Sequence, residues 1–112
     1  MPYDLTYLKP PEEGNISVLS LSADTASAAQ DLLASNIAQT HMVTFVCNEV
    51  FYLTFSTDKA SVTDPDITAT SGDGRTWLCP ANTPISFKIG VRNRYFKAIS
   101  ASACYLRWRI ED

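Results

Sequence analysis

The chain is poor in the residues on which most catalytic and metal sites are built. One histidine, His41, serves 112 residues. Any Ser-His-Asp or Cys-His catalysis would have to run through it. It stands at the start of a strand-like run, with no nucleophile elbow around any serine or cysteine, and reads as a partly exposed strand-edge histidine. Cysteine is scarce and odd in number: Cys47, Cys79 and Cys104. No C-x-x-C pair or Cys/His cluster occurs, which argues against structural zinc. Three thiols in or beside strand-like runs read as small core hydrophobes of a protein made in a reducing compartment. One disulfide with a leftover thiol is the alternative. Gly72 and Gly74 flank an aspartate, but no lysine follows in the phosphate-loop pattern, so nucleotide binding has no support. Glutamate is rare, and Glu12, Glu13 and Glu111 lie near the ends, so a carboxylate pair for glycoside cleavage cannot be picked out. No apolar run approaches the ~20 residues that span a bilayer. The start, Met-Pro-Tyr-Asp-Leu-Thr-Tyr, lacks a basic segment followed by an apolar one, so a secretory leader and a membrane are not expected. Without a leader, the acceptor triplet Asn15-Ile16-Ser17 is incidental.

What remains has the size and apolar content of a single globular domain, 46% hydrophobic. Net charge is −3, but it is unevenly placed. Residues 1–74 hold ten acids against two bases, Lys9 and Lys59, a net of −8. Residues 75–112 hold seven bases against two acids, a net of +5. Either the fold interleaves the halves into a mixed surface, or acidic and basic patches meet across copies or partners.

The pattern of the chain is β. In Cys104–Ile110, residues Cys104, Leu106, Trp108 and Ile110 share one side of an extended strand, and Tyr105, Arg107 and Arg109 share the other. Period two therefore gives one dry face and one wet, basic face. Similar alternation marks Ile16–Leu21, Thr40–Cys47, Val50–Ser56, Thr76–Cys79, Pro84–Val91 and Tyr95–Ala101. The pair around Asn48-Glu49 resembles a hairpin, and Ser100–Ser102 suits a tight turn into the last strand. Residues 23–35 are ambiguous between a short helix capped by Asp24 or Thr25 and a loop leading to a strand through Leu32–Ile37. The expected core is Val18, Val43, Phe45, Phe51, Leu53, Phe55, Ile85, Phe87, Ile89, Phe96, Leu106, Trp108 and Ile110.

Residues 1–15 form an arm broken by Pro2, Pro10, Pro11 and Gly14. Tyr3, Leu5 and Tyr7 fall at period two, so the arm is expected to be pinned, preferably on a neighbour. In the loop 58–74, Asp64, Asp66 and Asp73 could gather around calcium. Their spacing is not that of an EF-hand, and Asp-Pro-Asp and Gly-Asp-Gly are ordinary turn chemistry, so a solvated loop is preferred. Arg92-Asn93-Arg94-Tyr95-Phe96-Lys97 interleaves bases with aromatics, as single-strand nucleic-acid binders do. In an acidic protein, one basic loop entering a strand is the simpler reading, and nucleic acid is not an expected partner.

Several segments together have a family look. They are the Tyr-Leu-Thr-Phe-Ser strand at 52–56, the Asp-Pro-Asp-Ile-Thr-Ala-Thr loop at 64–70 and the Trp-Leu-Cys-Pro-Ala-Asn-Thr-Pro turn at 77–84. The ending Phe-Lys-Ala-Ile-Ser-Ala-Ser-Ala-Cys-Tyr-Leu-Arg-Trp at 96–108 completes the set. The chain here resembles the small jelly-roll decoration (cement or staple) proteins on the heads of short-tailed bacteriophages. The resemblance is one of strand and turn types over about two thirds of the chain. It implies a jelly roll, self-association and attachment to the outside of a capsid.

The expectation is an all-β, two-sheet jelly-roll sandwich over residues 16–112 with an extended N-terminal arm over 1–15. The expected work is structural, without enzyme activity, cofactor or metal. The chain would be a virion protein made in the host cytoplasm that binds the major capsid protein, bridges coat subunits and associates with itself as a dimer or trimer. Tyr3, Leu5 and Tyr7 of the arm and Arg92, Arg94, Arg107 and Arg109 are the expected partner contacts. The rival is a tail or head-fibre component with a carbohydrate-binding sandwich that displays Trp77 and tyrosines.

Overall fold

The computed structural model describes residues 16–33, 40–67 and 75–111. The arm, with Tyr3, Leu5 and Tyr7, lies outside them. Eight strands run β1 (Ser17–Leu21), β2 (Gln30–Asp31), β3 (His41–Cys47), β4 (Phe51–Ser56), β5 (Trp77–Cys79), β6 (Ile85–Ile89), β7 (Tyr95–Ser100) and β8 (Cys104–Glu111). They form two four-stranded sheets, in the orders β1-β8-β3-β6 and β2-β7-β4-β5, and every adjacent pair is antiparallel. Successive strands change sheet at every step except β4 to β5. This is the jelly-roll connectivity of two interleaved Greek keys, and the all-β expectation holds.

The hairpin expected around Asn48-Glu49 does not form, and the turn after Ser100 does not make one either. β3 and β4 belong to different sheets, and so do β7 and β8. The turns at 48–49 and 101–103 are corners between sheets. Alternation reports which side of a strand is buried, not which strand lies beside it, so a short turn between two alternating runs fits either geometry.

Facing strands fill the interior with aromatic rings. Phe45 is the hub, with ring centroids of Phe96 at 5.2 Å, Phe87 at 5.9 Å, Trp108 at 6.1 Å and Phe55 at 6.3 Å. Most of these pairs meet edge to face, the favoured aromatic geometry. Most of the expected core is buried or packs against it. Two residues are not. Val18 is 55% exposed, because β1 pairs Leu19 with Leu106 and Leu21 with Cys104, so its inward residues are the leucines. Ile110 keeps the inward parity of β8 but is 41% exposed. β1 begins at Ser17, opposite Trp108, and does not flank it. The core also takes Leu32 and Leu33, plus all three cysteines.

Residues 22–33 contain no helix. Asp24 turns the corner in the left-handed region (φ 56°), which aspartate tolerates better than most residues, and its N–H donates to the Ser100 carbonyl at 2.8 Å. The chain then follows β7: the Ser27 N–H donates to the Ala98 carbonyl at 2.8 Å, and the Ala98 N–H donates to Ser27 Oγ at 3.0 Å. Serines and a threonine can satisfy their backbone locally in this way, which outweighs the helix preference of the alanines.

Candidate functional site

Among the described residues, nothing is laid over the outer face of one sheet, here called the bare face, while much of the other is covered. On β1-β8-β3-β6 the outward positions are Val18 and Ser20 of β1, Tyr105, Arg107 and Arg109 of β8, Met42, Thr44 and Val46 of β3, and Ser86 and Lys88 of β6. Register brings them into rows. Val18 stands opposite Arg107, which stands opposite Val46. Ser20 is opposite Tyr105, and Arg109 is opposite Thr44. Thr44 Oγ1 and Ser86 Oγ share a hydrogen bond of 2.7 Å across this surface. Val18 and Tyr105 are each 55% exposed and Met42 44%, with Ile16 exposed just before β1. By backbone parity the next outward position of β8 after Arg109 is an acid, Glu111. Glu111, the last residue of β8, stands in register with Met42 at the corner. The wet, basic side read from residues 104–110 is thus the centre of a mixed apolar and cationic face.

The outer face of β2-β7-β4-β5 is different. Residues 57–67 lie over its middle. Thr54 points outward from β4 yet is 1% exposed, and its hydroxyl donates to the Thr63 carbonyl at 2.5 Å. Ile99, outward on β7, is 7% exposed. Val62 and Pro65 of the covering segment are buried. Lys97 Nζ reaches Asp64 Oδ1 at 3.0 Å, and the Asp66 N–H donates to Thr76 Oγ1 at 3.1 Å. Asp64 and Asp66 thus take part in holding this segment, while Asp73 lies outside the described residues. Among the described residues no group of His, Cys, Asp or Glu could hold a metal ion.

The expected partner-binding arginines divide. Arg107 and Arg109 share the bare face, and Lys88 joins them. Arg92 is exposed on the 3₁₀ turn 91–93 that carries the chain from β6 to β7 in the other sheet. Arg94 is committed to the fold. Its Nε donates to Asp31 Oδ1 at 3.0 Å and its Nη2 to Asp31 Oδ2 at 2.6 Å, while its guanidinium lies 4.8 Å over the Tyr95 ring. Arg94 holds the Asp31 carboxyl below its ordinary value of 3.8, outweighing a desolvation that works the other way. The Leu33 N–H also donates to Asp31 Oδ1 at 3.0 Å, so Asp31 ties the turn after β2 to the start of β7.

His41 is buried, not partly exposed. It has the inward parity of Val43 and Phe45 and stands opposite Ile89 in an inner strand. Trp77 is 55% exposed and lines a groove of about 360 Å³ with Phe55, Ser56, Ser61, Thr63 and Arg75. Its ring also meets Phe87 edge to face at 5.5 Å, closing the sandwich between edge strands β5 and β6. The described tyrosines do not gather around it. Tyr105 is on the bare face, and Tyr52 and Tyr95 are outward on β4 and β7.

Sequence reasoning missed Lys88, Val18 and Met42 as members of the bare face. The parity of Pro84–Val91 already placed Lys88 outward, and a register for β1 would have placed Val18. The fold and this face define a jelly-roll sandwich with one apolar and basic sheet face that the described residues leave exposed. Comparison with protein-family models, curated proteins and solved structures yields no match.

Proposed function

We propose that the chain is a structural binding protein without enzyme activity, a decoration protein of a phage head. It docks through the outer face of β1-β8-β3-β6 onto an apolar and acidic surface of the assembled coat protein. The observation behind this reading is the contrast between the two sheets. A protein of this size that lays 57–67 over one sheet and leaves valine, methionine, tyrosine and arginine in open rows on the other has a surface suited to a partner. Tyrosine and arginine are the residue types most enriched at the energetic centres of interfaces. Arginines supply orientation and a salt-sensitive attraction, and the apolar residues supply the buried area. Stabilisation of the shell then follows from mass action: a ligand that binds only the assembled state favours that state, and many copies acting together amplify a weak contact. Association as a dimer or trimer, with the arm residues Tyr3, Leu5 and Tyr7 on a neighbour, belongs to the same proposal.

The test is cosedimentation with purified heads of the virus that encodes the chain, combined with copy number by quantitative mass spectrometry. Wild type is expected at on the order of hundreds of copies per head, released as salt rises. Arg107→Glu should weaken binding sharply while the thermal melt stays unchanged. Copies near a dozen would place the chain in the tail, and absence from particles would overturn the reading. Saturable binding of the isolated chain to a glycan, lost in Trp77→Ala, would favour the carbohydrate-binding rival centred on the Trp77 groove.

A further inference from the structure

Two of the three buried thiols face each other. Cys47 ends β3 and Cys104 begins β8, on adjacent strands and on the same inward side. Cys47 is directly opposite Leu106, so Cys104 is its diagonal neighbour. The Cys47 Sγ lies 3.2 Å from the Cys104 Sγ, within reach of a disulfide after a shift of about 1 Å. Both are almost closed to solvent, at 2% and 5% exposure. Yet both lie next to corners of the fold. Cys104 directly follows the exposed residues 101–103, and Cys47 precedes the turn at 48–49. Cys79, the third thiol, is fully buried on β5 of the other sheet, and no hydrogen bond joins it to either.

We propose that Cys47 and Cys104 are a site of reversible oxidation, a disulfide that staples β3 to β8 when the chain meets an oxidising medium and opens in a reducing one. The oxidant is a low-molecular-weight disulfide such as oxidised glutathione. The Cys104 thiolate attacks one of its sulfurs, a mixed disulfide forms and one small thiolate leaves. The Cys47 thiolate then attacks the Cys104 sulfur and expels the second. The protein thiols give up two protons and two electrons, and the small disulfide becomes two thiols. The mixed disulfide needs room that the closed fold does not offer, so residues 101–103 must lift for it to form. Burial pushes the Cys104 thiol up to about 11, and hydrogen bonding to Cys47 adds to this. At neutral pH little thiolate is present, so closure of the folded chain is slow and quickens about tenfold per pH unit. The bond encloses about half of the chain in one loop, which restricts the unfolded state strongly. It crosses the two inner strands of the sheet with the bare face, and the inference stands whether or not that face docks.

The experiment equilibrates the full chain in glutathione buffers from reducing to oxidising, traps free thiols with an alkylating agent in denaturant, and reads intact mass, peptide map and melting temperature. The expected result is a loss of two hydrogens, one alkylatable thiol at Cys79, and a melting temperature higher by about 10 °C or more. Cys79→Ser should keep that gain, and Cys104→Ser should lose it. If Cys104→Ser fails to fold, the wild-type mass, map and melt decide alone. Three alkylatable thiols in the most oxidising buffer, a disulfide that includes Cys79, a persistent glutathione adduct, or a pair formed without a rise in melting temperature would each overturn the proposal.

Discussion

The outer faces of the two sheets are built from similar strands and have opposite fates. On β4 the outward Thr54 is buried under the chain's own loop, and its hydroxyl is taken by the Thr63 carbonyl. On β3 the outward Thr44 meets only another hydroxyl, that of Ser86, at the exposed surface. On β7 the outward lysine, Lys97, has Asp64 of the covering segment as its partner, while on β8 the outward Arg107 stands between Val18 and Val46. One sheet is covered by residues 57–67, and among the described residues no such segment lies over the other. A jelly roll needs only its inner faces to be apolar. What covers an outer face is a separate matter, and under the proposed function stability and interaction fall to different sheets.

The largest effect that separates the faces should come from placing a charge on each. Val62→Asp buries a carboxylate where Val62 is 5% exposed, and should lower stability by about 3 kcal/mol or more. Val18→Asp on the bare face should change it by less than about 0.5 kcal/mol while impairing docking. Urea midpoints with unchanged slopes measure both, and equal losses would break the comparison.

A subtler contrast comes from the threonines. Thr54→Val deprives the Thr63 carbonyl of its donor and should cost about 1–2 kcal/mol. Thr44→Val should be nearly neutral in the same titration, because water replaces the lost partner.

The smallest effect concerns the arginines. Asp31 has a folded pKa below its ordinary value, so its contribution is complete above 3.8 and fades as pH falls through the lowered value. Asp31→Asn should therefore lower the urea midpoint at neutral pH and match wild type in strong acid. Arg94→Ala should behave in the same way, whereas Arg107→Ala should leave the midpoint unmoved at every pH. A pH-dependent loss in Arg107→Ala would mean that the bare face also holds the fold together.

Much of this was legible from residue order alone. Alternation in 41–47, 51–56, 85–89, 95–100 and 104–110 names the strands and most of the inward residues, because a strand with one buried side must place its apolar residues two apart. The basic side of β8 follows from the same period. That Arg107 and Arg109 share a surface, and that His41 and the cysteines carry no motif of chemistry, are equally visible in the letters. Other features required three dimensions. Alternation in Ile16–Leu21 puts Val18 in the expected core, since valine and leucine suit either side, and only pairing with Leu106 and Cys104 turns it outward. Short turns did not reveal that they join different sheets. Arg94 looked like any surface cation until the corner between β6 and β7 brought it onto Asp31, sixty-three residues away. Cys47 and Cys104 met only because strands distant in the chain are neighbours in the sheet. Local periodicity determines what a strand hides, while pairing partners, covered faces and long-range contacts depend on how all the strands close together.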